Sequence, residues 1–288
     1  MREYSAYVLG RLGKKENRSV VKSLEDMAAD RDKNVRVEVI YALYKIGSPS
    51  SKGIFIGALN DEEPRARSYA ATALGNVKDP EAGRALAIAL QRESDENVRR
   101  MVASALGKVG SGSAVNALVE AIPHETESVR ADIAVALGEI KTPEAVKALV
   151  GLLSDPSANV RSKAAAALAG IKDPSSAHAL AAALKDRAAI VRREASRALV
   201  LIADVSVTSE LVEALGDPDA SVAENAAAAL INMADLQTVH ALIPAIDSAN
   251  ESQSKRALSV LEEITHRPYG SDIEKWKTWY HENFEPQG

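Results

Sequence analysis

The sequence predicts an all-α array of short helical repeats. Three observations carry that expectation: a Val-Arg motif that returns about every 31 residues, a second helix-start pattern between its copies, and an apolar composition built on alanine and leucine. Of the 288 residues, 46% are hydrophobic but only 4% aromatic. Small side chains let helices approach closely, and the β-branched or aromatic runs that would read as buried strands are missing.

The motif opens as "REYSAYVLGRLG" at Arg2 and returns as "VRVEVIYALYKIG" at Val35, "ARSYAATALGNV" at Ala66 and "VRRMVASALGKVG" at Val98. It continues as "VRADIAVALGEI" at Val129, "VRSKAAAALAGI" at Val160, "VRREASRALVLI" at Val191 and, more weakly, "VAENAAAALINM" at Val222. Its arginine column holds Arg2, Arg36, Arg67, Arg99, Arg130, Arg161 and Arg192, then Ala223 and Ser254, at spacings of 34, 31, 32 and thereafter 31. So regular a period marks a repeat array rather than a single-core domain. Between the copies run "DPEAGRALAIAL" from Asp79, "TPEAVKALVGLL" from Thr142, "DPSSAHALAAAL" from Asp173 and "LQTVHALIPAI" from Leu236. Proline just after Asp or Thr is a helix-start signal. Each unit therefore reads as helix A, a turn, helix B and a short link, with the chain opening in a B helix.

An acidic column stands six residues before the arginines, at Asp30, Asp61, Glu93, Asp155, Asp186 and Asp217. An arginine in the first turn of a helix faces the positive end of the macrodipole and needs a nearby acid. The carboxylate of its own or of the adjacent repeat can supply it. The two columns are therefore read as a structural ladder and not as a basic stripe. The glycines Gly10, Gly75, Gly107 and Gly138 fit close helix packing or a C-terminal turn, and none belongs to a phosphate-binding loop.

This Asp-turn-Val-Arg-Ala-Ala-Leu-Gly signature resembles the HEAT repeat family, in its short bacterial and archaeal, phycobilisome-lyase-like form, over essentially the whole chain. The resemblance implies a right-handed α-solenoid (superhelix) with the B helices on its concave face. On that reading residues 1–266 form a half repeat plus about eight helix pairs, and residues 267–288 form a C-terminal capping helix and tail. The tail resembles the Gly-x-Asp...Trp-x-x-Trp ending of many bacterial HEAT proteins. Ser271 to Glu274 reads as a capping box opening a helix that carries Trp276, Trp279 and Tyr280 as a lid on the last repeat.

The signature says little about function, so chemistry has to be sought residue by residue. A net charge of −5 gives no reason to expect nucleic acid. The absence of cysteine excludes disulfides, thiolate catalysis and cysteine-ligated zinc. His178 and His240 share one helix A position two repeats apart, too distant for one metal, while His266 and His281 fall near the C-terminus. His124-Glu125 invites comparison with the di-iron HEAT enzyme deoxyhypusine hydroxylase. The matching positions hold Val37-Glu38, Arg100-Met101 and Ser162-Lys163, so that ligand pattern is absent. HEAT-like DNA glycosylases need a basic channel that this charge balance opposes, and bilin lyases are resembled at repeat level only. No metal, cofactor or catalytic residue is expected.

No stretch is apolar enough to insert in a membrane, and the charged N-terminus does not read as a signal peptide. A cytoplasmic location is expected, with an exported form open if an upstream segment has been removed. The opening B helix has no helix A before it, which leaves a face for self-association or marks a truncation.

Function is then expected where the repeats differ. Five of the seven tyrosines precede residue 70, with Tyr7 and Tyr41 in one B-helix column and Tyr4 and Tyr69 in another. Tyrosines beside Arg and Lys are the composition of an interface hot spot. The chain is therefore read as a non-enzymatic scaffold that binds another protein or peptide on its concave face through Tyr4, Tyr7, Tyr41, Tyr69, Arg100 and Met101. The other readings are a HEAT-fold enzyme or enzyme subunit, lyase-like or metal-dependent, and a self-associating structural subunit. Filling of gaps between helices, or covering of the end of the solenoid, is the competing explanation of the tyrosines, and the central positions Ala166, Glu194, Arg197, Glu224 and Asn225 suit a peptide groove without specifying one.

Overall fold

A computed structural model describes residues 1–14 and 17–284, so the last four residues of the expected tail, 285–288, lie outside the described residues. Among the described residues there are 18 α-helices, four short 3₁₀ turns and no strand. The chain divides into two compact units, Met1–Ala148 and Leu149–Gly288.

In the first unit, helix α1 (Arg2–Leu12) is followed by four pairs: α2 (Arg18–Met27) with α3 (Lys33–Ile46), α4 (Lys52–Ala58) with α5 (Pro64–Val77), α6 (Pro80–Arg92) with α7 (Glu96–Val109), and α8 (Gly112–Ala121) with α9 (Glu127–Ile140). Helix α10 (Pro143–Leu152) leads to α11 (Ala158–Ile171). The second unit continues with α12 (Ala177–Ala183) and α13 (Ala189–Ile202), α14 (Thr208–Ala214) and α15 (Ala220–Met233), α16 (Leu236–Ala245) and α17 (Glu251–Thr265), and the final α18 (Ile273–Phe284). Within each unit successive B helices pack side by side, as α5 does on α7 and α7 on α9, or α11 on α13 and α13 on α15.

The B helices owe their common length to signals at both ends. Asp32, Asp95, Thr126, Ser157 and Asp219 each accept a hydrogen bond from a backbone N–H of the first turn, which satisfies donors the helix itself cannot. At the other end a residue in the left-handed conformation stops the helix. It is Gly47 after α3 and Gly110 after α7, but Lys78, Lys141, Lys172, Ala203, Ala234 and His266 after α5, α9, α11, α13, α15 and α17, while α1 ends at an extended Gly13. The C-terminal turn is therefore not the task of the glycine column. A Cβ on Gly107 would lie 2.8 Å from the Cα and 2.9 Å from the Cβ of Ala136, so this column sets how closely α7 approaches α9. The core is correspondingly alanine-rich: Ala66, Ala70, Ala71 and Leu74 of α5 are fully buried.

The arginine and acid columns do form a ladder, and each rung runs to the following repeat. Arg36 donates through Nε to Asp61 Oδ2 at 2.7 Å and through Nη2 to Asp61 Oδ1 at 3.1 Å, while its Nη1 donates to the carbonyl of Asp30 at 3.0 Å. The repeat's own acid thus contributes its backbone carbonyl, and the next repeat's acid contributes its charge. The same geometry joins Arg67 to Glu93, Arg161 to Asp186 and Arg192 to Asp217, and Arg2 pairs with Asp30. Arg99 pairs with Glu125 and not with His124, the residue in the expected column. A 3₁₀ turn, Ile122–His124, ends the preceding helix there and brings the carboxylate in one residue later. Arg130 donates to the carbonyl of Glu125 at 2.8 Å, and the Asp155 backbone carbonyl accepts from Arg161 at 2.8 Å.

Asp30, Asp61, Glu93, Asp155, Asp186 and Asp217 also organise their own turns. Asp186 accepts the Ala188 amide at 2.8 Å, and Asp61 accepts that of Glu63 at 2.9 Å. Hydrogen bonds from Arg161 hold the Asp186 carboxyl below its ordinary range, helped by the Ala188 amide and opposed by burial. Beyond Asp217 the arginine column is empty, and a different device takes over. Gln253, Arg256 and Asn250 donate to the carbonyls of Val212, Leu215 and Gly216 at the end of α14.

At the C-terminus Trp276 is fully buried, with its indole N–H donating to the Gly270 carbonyl at 3.0 Å. The expected capping box is displaced by one residue: Asp272, not Ser271, accepts the Lys275 amide, and α18 starts at Ile273.

Candidate functional site

No group of three or more His, Asp or Glu residues among the described residues is arranged to hold a metal ion. His178 is exposed. His240 is tied to the last helix, hydrogen-bonded to the Tyr280 hydroxyl and packed edge-on against the Tyr280 and Phe284 rings. No described helix is long and apolar enough to cross a membrane. A cavity of about 500 Å³ is lined by Asp61, Arg67, Arg92 and Glu93 together with Ile88 and Leu59. Asp61, Arg67 and Glu93 are already committed to ladder rungs, which leaves Arg92 as the charged group lining the groove outside the ladder.

The sequence-selected tyrosines fall into two groups on the B helices of the first unit. Tyr4 and Tyr7 project from α1, 71% and 43% exposed, with ring centroids 6.4 Å apart. Their positions follow from the burial of Ala6 on the opposite side of the helix, where α1 meets α3. Tyr41 of α3 and Tyr69 of α5 lie 5.0 Å apart, and Tyr44 joins them, its ring nearly parallel to that of Tyr69 at 6.4 Å. These three are half-buried, so part of their area fills the space between α3 and α5. Tyr44 was hidden in the sequence because it occupies the glycine column of its repeat, eight residues after Arg36 where Gly75 follows Arg67.

A cleft of about 380 Å³ between α1 and α3 links the two groups, lined by Tyr7, Gly10, Arg11, Glu38, Tyr41, Ala42 and Lys45. Arg11 donates to the Tyr7 hydroxyl at 3.0 Å and lies 5.7 Å from the ring centroid, a cation–π arrangement. Burial, the neighbouring Glu3 and an opposing Arg65 act on Glu38, with the net effect of raising its carboxyl above the ordinary range. Interaction with the Tyr69 side chain in turn raises the Arg65 guanidinium above its ordinary range.

The other two selected residues stand apart from this cleft. Met101 is 39% exposed on α7. Arg100, expected to be available to a partner, instead donates to Asp132 of the next B helix at 2.6 Å. Its neighbour sequence offers no hint of this, since the acid is 32 residues away.

Comparison with known proteins agrees with this architecture. None of the curated proteins matches the sequence significantly. Among solved structures, YibA of E. coli is 20% identical over 93% of this chain and 98% of its own, with a TM-score of 0.56. An engineered protein is 24% identical over 91% of this chain and 84% of its own, with a TM-score of 0.53. The CpcE and CpcF complex of phycocyanin lyase from Nostoc sp. PCC7120 gives 24% identity over 79% and 94%, with a TM-score of 0.46. The family description "HEAT repeats" matches residues 52–135 and 115–200, together more than half of the 288 residues. With that match, and with helix pairs stacked in succession through Arg-acid rungs, the chain belongs to the HEAT repeat family.

Proposed function

We propose that this protein is a non-enzymatic scaffold that binds a protein or peptide on the B-helix face of its first unit. HEAT repeats commonly serve as protein-binding scaffolds, and the observation that carries the reading here is the cleft in which Tyr7 and Tyr41 meet Arg11, Lys45 and Glu38. Aromatic rings offer large contact area at low entropic cost, and beside Arg they are the side chains that dominate interface energetics. No tyrosine, tryptophan or phenylalanine occurs between Ala70 and Pro268, so no other B-helix surface has this composition.

The test is affinity capture from the source lysate by the native chain and by a variant carrying Tyr4→Ala and Tyr7→Ala. Both residues are exposed, so circular dichroism should show an unchanged fold. A partner retained by the native chain and lost by the variant supports the reading, and equal capture by both rejects it. Absence of bound iron or chromophore in the purified protein is expected as well, and finding either would favour an enzymatic role.

A further inference from the structure

Nine residues after the ladder arginine, the last turns of α1, α3, α5 and α7 present Arg11, Lys45, Asn76 and Lys108, all exposed. In α9 the same place holds Glu139, which ends the row. Among the described residues neither Lys45 nor Lys108 has a carboxylate in ion-pair range, and Arg11 is engaged only by the Tyr7 hydroxyl and ring. This contrasts with the ladder arginines of the same helices, each of which is paired. The row therefore offers positive charge that the fold itself does not neutralise, along one edge of the tyrosine cleft. Glu38 lies seven residues earlier on α3 than Lys45, about 10 Å along the helix axis, and Glu3 is close enough to raise its carboxyl. The surface is thus graded: acidic at the N-terminal ends of α1 and α3, tyrosine in the middle, basic at their C-terminal ends.

We propose that α1, α3, α5 and α7 bind an acidic peptide in the polyproline II conformation that crosses them in turn, with Asp or Glu at every third residue facing Arg11 and Lys45. The proposal rests on the protein-binding reading of this same surface and names its partner class. Neighbouring packed helices lie about 8–10 Å apart, and a polyproline II chain rises about 3.1 Å per residue with three residues per turn, so that side chains three apart share a face. Three residues of peptide therefore match one repeat. An apolar or aromatic side chain between two such acids enters the cleft between Tyr7 and Tyr41. Asn76 gives the third repeat an amide for a peptide backbone group, and Lys108 takes a further acid at i+9. Glu3 and Glu38 repel an acid placed at the N-terminal ends of α1 and α3, with Arg65 of α5 the one cation among the described residues opposing Glu38 there, so the orientation is set on the first two helices. A basic residue in the last turn also offsets the helix macrodipole, but that role acts on stability and needs no unpaired row beside a cleft.

The experiment pans a displayed library of random peptides against the full chain, then measures the selected peptides by fluorescence anisotropy against three proteins. These are the parent, Arg11→Gln with Lys45→Gln, and Tyr4→Ala with Tyr7→Ala, with melting followed by circular dichroism. The expected result is enrichment of acidic residues three apart with an aliphatic or aromatic residue between them. Binding should weaken with added salt and fall about tenfold in the glutamine variant while its melting temperature is retained. Failure to enrich any peptide overturns the proposal, as does enrichment without acidic preference or equal binding by the glutamine variant. Selected peptides without acids that are still lost by the tyrosine variant would remove the acidic register and leave the tyrosine surface standing. Binding indifferent to both variants would remove both.

Discussion

Replacing Asp186 by alanine should destabilise the second unit by about 3 kcal/mol, because it strands a guanidinium that cannot leave. Arg161 is held by its Nη1 bonds to the carbonyls of Asp155 and Pro156, at 2.8 and 3.0 Å. Its Nε and Nη2 bonds to Asp186, at 2.6 and 2.9 Å, are the ones lost. The two side chains are only 8% and 12% exposed, so water replaces the carboxylate poorly. Asp186→Asn keeps an acceptor for the Ala188 amide and loses the charge, and should cost about half as much. Arg161→Met removes the cation, and the double variant Arg161→Met with Asp186→Asn should be more stable than the sum of the single effects implies, by at least about 1 kcal/mol. Urea unfolding gives the free energies. Amide hydrogen exchange should place the loss in α11 to α13, because each repeat contacts only its neighbours. Asp173→Ala, which removes a turn hydrogen bond to Ser175 but no rung, is the control. A cost for Asp186→Ala no greater than that of the control, or strict additivity in the cycle, would refute the ladder as a source of stability.

Gly107→Ala should destabilise by about 1–3 kcal/mol, since the new methyl meets the Ala136 backbone, whereas Gly57→Ala in α4, with nothing within 4 Å, should stabilise by about 0.5–1 kcal/mol; thermal melts distinguish them. Ala203 stops α13 at φ 51°, so Ala203→Gly should raise stability by about 1 kcal/mol in the same assay. Trp276→Ala should cost about 3–5 kcal/mol and free α18, seen as rapid proteolysis after residue 266. Asp186 has a carboxyl depressed by Arg161, the Ala188 amide and nearby charges, so its contribution is present above the unfolded value near 4 and is lost as pH falls through the lower folded value. Urea midpoints should therefore drop below about pH 4, and less steeply in Asp186→Asn.

The period, the helix pairing and the two columns of the ladder were legible in the sequence because they depend on local signals: Asp or Ser before a helix, an alanine stripe within it, and a fixed distance to the next copy. The buried Trp276 was legible for the same reason, an aromatic residue following a cap. What only the tertiary structure decided is which groups of neighbouring repeats meet. Arg36 has an acid six residues before it and another 25 residues after it. Helix packing puts the later side chain and the earlier carbonyl in reach. The shift from His124 to Glu125 depends on a 3₁₀ turn, the loss of Arg100 to Asp132 on the approach of α7 and α9, and the addition of Tyr44 on the space beside α5. Periodicity fixes which residues share a face of a helix, whereas the pairing of faces depends on side-chain volume at contacts such as Gly107 on Ala136, which no single repeat encodes.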